Sequence, residues 1–315
     1  MRVVTAAEID RVLTFPALIE ALAEAFRGDI ATPVRHHHEI ARDGSAATLL
    51  LMPAWTGVAA REGFLGVKIV SVFPENGARN LSSVLGTYLL MDGATGEPRA
   101  ALDGTRLTVW RTAAASALAS RALARPDASR MVMVGAGSLA PFLIRAHASQ
   151  RPLRDIRVWN HRPERAQALA TALRAEGLPV TATEDLEAAI RQADLVSCAT
   201  LSADPIVKGE WLKPGAHLDL VGAFNLHMRE ADDAALQRAA IYVDTTAALS
   251  EGGDVALAIR SGAIGEQDVL GDLADLCREV PPRDPNAITL FKSVGTALED
   301  LAAAMLVWRS LPPTA

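Results

Sequence analysis

The 315-residue chain reads as an α/β protein in two parts, and three observations predict this. From about residue 130 onward, apolar strand-like runs alternate with helical segments, as in a doubly wound parallel sheet. Before that point, strand-like runs follow one another with little but turns between them, as in an α+β domain. Half of the residues are hydrophobic and 22% are charged, so the chain can bury a substantial core. Residues 1–124, completed by 290–315, are expected to form one domain and residues 125–289 the other.

At the amino terminus, Thr5 and Glu8 have capping-box spacing, and Pro16 opens a second helix running to about Gly28. Strands are expected at Val34–Ile40, Ala46–Met52, Phe64–Phe73 and Val84–Met91, ending in the turn-rich stretch DGATGEP. An alanine-rich helix follows over about Thr105–Ala124. The alternating part then brings the strands MVMV, IRVW, LPVTA, DLVSCA, HLDLVGAF and AIYVDT. Last come ITLF and a helix from about Ser293 to Arg309, expected to return to the first domain.

Composition removes several function classes. A net charge of −6 and scarce aromatic residues give no reason to expect nucleic acid or an anionic membrane as partner. The terminus MRVVTAAEID has no apolar signal core, and no apolar stretch is long enough to span a bilayer. Cys198 and Cys277 are too few and too distant for a disulfide framework, so a reducing cytoplasm is expected.

Two local patterns carry chemistry. Residues 131–140, MVMVGAGSLA, run an apolar strand into Gly135 and Gly137, with Ala140 opening a helix. The first glycine permits a tight turn, the second lets the backbone approach a pyrophosphate, and the helix amino terminus at Ser138–Leu139 favours its charge. This is the Rossmann dinucleotide pattern. The next strand ends at Asn160-His161-Arg162 with no acid at 158–163. An acid there would bind the ribose hydroxyls of NAD. Asn160 can still hydrogen-bond the ribose, and Arg162 and Arg165 can pair with a 2′-phosphate. NADPH is therefore preferred as cofactor, with NADH the alternative.

The second pattern is a set of cations in apolar surroundings. Lys68 lies inside GVKIVSVF, a strand apolar on both faces, so it must be paired, neutralised or used. Arg111, flanked by Thr108 and Thr112, opens a helix that is otherwise small and apolar. A guanidinium and an ammonium in an apolar cleft suit a small carboxylate. For Lys68 an internal ion pair or an ammonium reaching to solvent competes with that reading. In PVRHHHEI, alternation places Arg35, His37 and Glu39 on one face, and His37 is a candidate pocket group. Neighbouring strand histidines point opposite ways, so no metal site is expected.

Seven segments together resemble the ornithine cyclodeaminase/μ-crystallin family. They are P-x-R at 33–35, LLLMPAW at 49–55, GVKIVSVFPEN at 66–76, TVWRTAAASALA at 108–119, VGAGSLA at 134–140, VGAFNLHMREAD at 221–232 and TLFKSVGTALED at 289–300. The resemblance implies a Rossmann domain joined to a substrate and dimerisation domain, hence a homodimer. It also implies that Arg35, Lys68 and Arg111 grip a substrate carboxylate, and that Thr112 and Ser293 lie at the cofactor. Cyclodeaminases of the family carry an aspartate where this chain has Phe224, which cannot accept a proton.

VGAF, the HHH run and ITLFKSVGTALEDLAA resemble instead the bacterial Δ1-pyrroline-2-carboxylate/Δ1-piperideine-2-carboxylate reductases. What this implies is an NAD(P)H-dependent oxidoreductase turning a small cyclic imino acid into L-proline or L-pipecolate. The alternatives are an ornithine cyclodeaminase, an amino-acid dehydrogenase, or a μ-crystallin-like NADPH binder without catalysis. Thr289, Lys292 and Gly295 are expected near the nicotinamide by the same resemblance, with capping and packing as the competing roles. Asp219 is assigned no catalytic part.

Overall fold

A computed structural model describes residues 1–42, 46–79, 81–82, 84–282 and 284–312. The chain divides into two compact units, Met1–Thr112 with Thr296–Ala315, and Ala113–Gly295. These divisions fall inside one helix and just before another, rather than at 124/125 and 289/290 as read from the sequence.

The first unit begins with β1 (Arg2–Val4), α1 (Ala6–Val12) and α2 (Phe15–Arg27). The capping box forms: the Thr5 hydroxyl accepts from the Glu8 N–H at 3.3 Å, and the Glu8 carboxylate accepts from the Thr5 N–H at 2.9 Å. Thr14 caps α2, Pro16 sits in its first turn and Gly28 ends it. Leu18, Ile19, Leu22 and Phe26 form its buried stripe. There follow β2 (Ile30–Ala31), β3 (His36–Ile40), β4 (Ala47–Thr56), β5 (Phe64–Val72), β6 (Val84–Asp92), β7 (Pro98–Asp103) and α3 (Gly104–Leu123).

These strands make a seven-stranded sheet in the order β1-β7-β6-β5-β4-β2, with β3 also on β4. Only β1 and β7 pair in parallel. The two faces of the sheet differ. Met52, Lys68 and Tyr88 are cross-strand neighbours on the buried face. Leu51, Val67, Ile69 and Leu89, on the other face, are only partly buried. The sequence predicted a strand buried on both sides; β5 is buried on one.

In the second unit the chain passes through β8 (Arg130–Val134), α4 (Ala140–Gln150), β9 (Asp155–Trp159), α5 (Pro163–Ala175) and β10 (Val180–Ala182). It continues with α6 (Leu186–Gln192), β11 (Leu195–Cys198), β12 (His217–Leu220), α7 (Asp233–Gln237) and β13 (Ala239–Val243). The last elements are α8 (Ala248–Glu251), α9 (Gly253–Ser261), β14 (Val269–Asp272), α10 (Leu273–Arg278) and β15 (Ile288–Lys292).

The eight strands form a wholly parallel sheet in the order β10-β9-β8-β11-β12-β15-β13-β14. The first six positions follow the doubly wound scheme. The order reverses about β8, which puts the ligand crevice at the carboxyl ends of β8 and β11. Val132, Val196, Leu218 and Leu290 are buried in its core.

The final helix, α11 (Ala297–Ser310), belongs to the first unit and packs on α2 and on β4–β6. It starts four residues later than expected from Ser293. Asp244 takes the N–H groups of Val294 and Gly295, Gly295 adopts φ +80°, and Thr296 rather than Ser293 caps the helix. No helix among the described residues is long and apolar enough to cross a membrane.

Candidate active site

Lys68 and Arg111 meet in the first unit. Lys68 stands on β5 with 3% of its surface exposed, and Arg111 on α3 with 5%. The Lys68 Nζ lies 2.7 Å from Asp300 Oδ2. Arg111 Nε donates to Asp300 Oδ1 at 3.0 Å, and its Nη1 donates to Glu299 Oε2 at 2.6 Å. Both acids are fully buried in the first turn of α11. Of the three fates open to Lys68, the structure shows pairing.

Glu299 and Asp300 are the site residues that sequence reasoning missed. Acids in a first helical turn are ordinary helix-dipole partners. The one signal was their position ahead of LAAAMLVW, eight apolar residues that leave the middle of the helix no polar face to continue theirs.

Burial pushes the Lys68 ammonium down to about 8, with the Asp300 carboxylate resisting and the Arg111 and Arg35 charges adding to the fall. Arg35, half-buried just before β3, therefore lies within electrostatic reach of Lys68. His37 follows on β3. The register sets it beside Leu50, but β3 is an edge strand and the ring is exposed. His36 and His38 are exposed too, and no described group of three or more His, Cys, Asp or Glu could hold a metal ion. Tyr88 is fully buried next to Lys68, and burial, then Asp300, raises its phenol well above the usual range.

The glycine turn lies in the second unit. Gly135 has φ +109°, and a Cβ there would come 2.6 Å from the Ala199 carbonyl oxygen, so only glycine fits. A Cβ on Gly137 would meet nothing within 4 Å, which leaves room for a ligand. Ser138 is exposed, and Leu139 stands at the N-cap of α4 with no side-chain hydrogen bond. In the first turn of α4 the N–H groups of Ala140 and Phe142 donate to the Gly137 and Leu139 carbonyls and Pro141 has none, so an anion would be met by the turn ahead of the helix. A dinucleotide fits these residues.

Asn160 differs from its expected role. Its Oδ1 accepts from the Ala136 N–H at 3.3 Å and its Nδ2 donates to the Arg162 carbonyl at 3.2 Å. It ties the glycine turn to the end of β9. Arg162 and Arg165 are exposed at the start of α5. Thr112 is half-buried, and Ser293 is 3% exposed.

Several other buried polar groups of this unit pair with one another. Asp219 accepts from Ser197 Oγ at 2.6 Å and contacts His147 Nε2 at 3.2 Å. Burial would raise its carboxyl, but these bonds hold it below its usual value. His147 Nδ1 contacts Ser120 Oγ at 3.1 Å, so this chain is an internal brace. The Thr289 hydroxyl meets His217 Nδ1 at 2.9 Å, and Lys292, fully buried, pairs with Asp254 at 3.0 Å. Phe224 is 47% exposed.

Known proteins share this arrangement at full length. A Δ1-pyrroline-2-carboxylate reductase of Paracoccus denitrificans is 39% identical over 91% of this chain and 90% of its own. A solved Δ1-pyrroline-2-carboxylate reductase of Thermococcus litoralis, in complex with NADH and L-proline, superposes with a TM-score of 0.91. It is 30% identical, covering 98% of this chain and 97% of that one. An archaeal alanine dehydrogenase dimer with bound NAD gives a TM-score of 0.90 at 28% identity, covering 98% and 95%. The model of the ornithine cyclodeaminase/mu-crystallin family matches residues 1–312, and the chain belongs to that family.

Proposed function

We propose that this protein is an NAD(P)H-dependent reductase of small cyclic ketimines, Δ1-pyrroline-2-carboxylate and Δ1-piperideine-2-carboxylate, yielding L-proline and L-pipecolate. One observation carries the substrate assignment. Lys68, Arg111 and Arg35 set three cations against the two carboxylates Glu299 and Asp300. Lys68 and Arg111 are held side by side in a largely dry site by shared contact with Asp300, and such a cationic pair suits a single substrate carboxylate. Asp300 fixes both Lys68 and Arg111, so the clamp is ordered before substrate arrives. Lys68 still has ammonium N–H groups beyond the one facing Asp300, and these serve the carboxylate.

The Gly135–Leu139 turn holds the pyrophosphate of NADPH or NADH. Arg162 and Arg165 favour the 2′-phosphate of NADPH. When bound, the dinucleotide supplies a hydride for C2 of the imine. A protonated imine is already electrophilic, so the protein's task is to orient the substrate.

The partly buried sheet face of the first unit suits a second copy of the chain. Val3 and Leu85 there are 70% and 46% exposed along a groove of about 610 Å³. We place the homodimer contact on this face, as an alanine dehydrogenase of similar structure is a dimer. A monomeric mass in solution would overturn that part. Cys198 and Cys277 are thiols rather than a disulfide, in accord with the cytoplasm.

The test is a panel of both imines with NADPH and NADH, together with ornithine, alanine and NAD. Loss of reduced-cofactor absorbance with an imine, fastest with NADPH, is the expected result. Turnover only with ornithine or alanine, or with nothing on the panel, would overturn the reductase reading.

A further inference from the structure

We propose that Glu230 is a positioning residue of the dinucleotide site, acting by holding together the chain ends that leave β11 and β12. This rests on the dinucleotide reading of the second unit. Glu230 is 1% exposed, and its one carboxylate bridges two adjacent parallel strands. Its Oε1 accepts from the Thr200 N–H at 2.7 Å and the Thr200 hydroxyl at 2.9 Å. Its Oε2 accepts from the N–H groups of Gly222 at 2.7 Å and Ala223 at 3.3 Å. Thr200 lies two residues past β11 and Gly222 two residues past β12.

In an open parallel sheet, ligands sit outside these carboxyl ends. The bridge also reaches the glycine turn. A Cβ on Gly135 would fall 2.6 Å from the Ala199 oxygen and 3.3 Å from Thr200 Cγ2. A side chain on Gly222 would collide with the Thr200 backbone, so the two chain ends already approach as closely as backbones can. Where Glu230 puts Thr200 therefore decides where the glycine turn is stopped.

Glu230 is itself anchored. Its own N–H and that of Ala231 donate to Asp254 Oδ1 at 2.7 and 3.0 Å, and Asp254 Oδ2 pairs with Lys292. The groups facing its carboxylate are Lys292 from β15, Asp254 from α9 and the Cys198 thiol from β11. Burial raises the Glu230 carboxyl to about 7, with Lys292 opposing and Asp254 adding to the rise. Protonation would turn one accepting oxygen into an O–H donor that faces N–H groups needing an acceptor.

The experiment measures NADPH and NADH affinity by fluorescence titration across pH, with no imine present, for wild type, Glu230→Gln and Thr200→Val. Glu230→Gln is expected to weaken binding about ten-fold or more, because an amide nitrogen replaces one accepting oxygen. Its KM for the imine at saturating cofactor should stay within about three-fold. Wild-type affinity should fall as pH drops through about 7, and that dependence should vanish in Glu230→Gln. Thr200→Val, which removes one donor and keeps the shape, should weaken binding by about three-fold. Unchanged affinity in folded Glu230→Gln, or the same pH dependence in both proteins, would overturn the proposal. If Glu230→Gln does not fold, unchanged affinity in Thr200→Val overturns it. A wild-type protein that binds neither dinucleotide would overturn the underlying reading instead, a result distinct from these.

Discussion

Two buried lysines, one in each unit, end on an aspartate at similar distance and stand in unlike surroundings. Lys68 reaches Asp300 at 2.7 Å and Lys292 reaches Asp254 at 3.0 Å. Around Lys68 a second cation, Arg111, shares Asp300 and also binds Glu299, and the Arg35 charge reaches Lys68 as well. Around Lys292 the carboxylates outnumber the cation, and backbone N–H groups absorb the surplus at Glu230 and Asp254. The first cluster gathers cations about one acid, and the second gathers acids and backbone N–H groups about one cation. Burial of a lysine is thus silent about its role, and the groups around it must be read as well.

The strongest way to break this contrast is Asp300→Ala. It strands two buried cations that now share one acid, and should cost about 3–5 kcal/mol of stability. The clamp loses its order with it, and imine kcat/KM should fall about a hundred-fold or more. Denaturant melts and steady-state kinetics check both; a stable, active variant would dissolve the first cluster as described.

The paired variants Lys68→Met and Lys292→Met sharpen the difference. Lys68→Met leaves Asp300 still bonded to Arg111, so the main loss should be kinetic, about ten-fold or more in kcat/KM. Lys292→Met leaves Asp254 and Glu230 facing each other without a cation, and should lose about 3 kcal/mol of stability. Imine KM in any folded fraction should hold. The reverse assignment of effects would refute the comparison.

A smaller effect follows from pH. Burial has moved the Lys68 ammonium down to about 8, so it carries its charge below that pH and sheds it above. L-proline, whose carboxylate stays ionised throughout, should inhibit several-fold more weakly at pH 9 than at pH 7. Lys68→Arg should flatten the curve, because arginine keeps its charge.

Least disruptive to the fold is Gly137→Ala. The added Cβ meets no atom, so the melting temperature should not move, while dinucleotide affinity drops several-fold as the methyl enters the space for the pyrophosphate. A lowered melting temperature with unchanged affinity would count against the turn as the binding element.

Much of this architecture was legible because its signals are local. The capping box at Thr5, the stop at Gly28 and the strand–glycine–helix run at 131–140 need only their neighbours. What went unread depended on distant partners. β1 is three residues long and exists because Arg2–Val4 pairs with Ala100–Leu102 in β7, whose sequence PRAALD has Pro, Ala and Asp in place of strand-favouring residues. Ser293 looked like a helix cap, yet Asp244, far back in the sequence, holds the chain open until Thr296.

In the candidate site, Lys68 and Arg111 stood out as charges in apolar runs. Glu299 and Asp300 did not, since acids at a helix start are commonplace until the opposite surface is known. His37 lies on a strand as its alternation suggested, but periodicity could not tell that β3 is an edge strand with the ring exposed. Asn160 had the right address but a backbone partner.

The insertion of β15 between β12 and β13 has a consequence for how the molecule is made. A ribosome releases β12 and β13 long before residues 288–292, so the neighbours of the missing strand must wait with open hydrogen-bonding edges. Nascent chains halted short of Ile288 should recruit holding chaperones or aggregate. Moving the termini to a surface turn ahead of this strand should speed assembly of the parallel sheet.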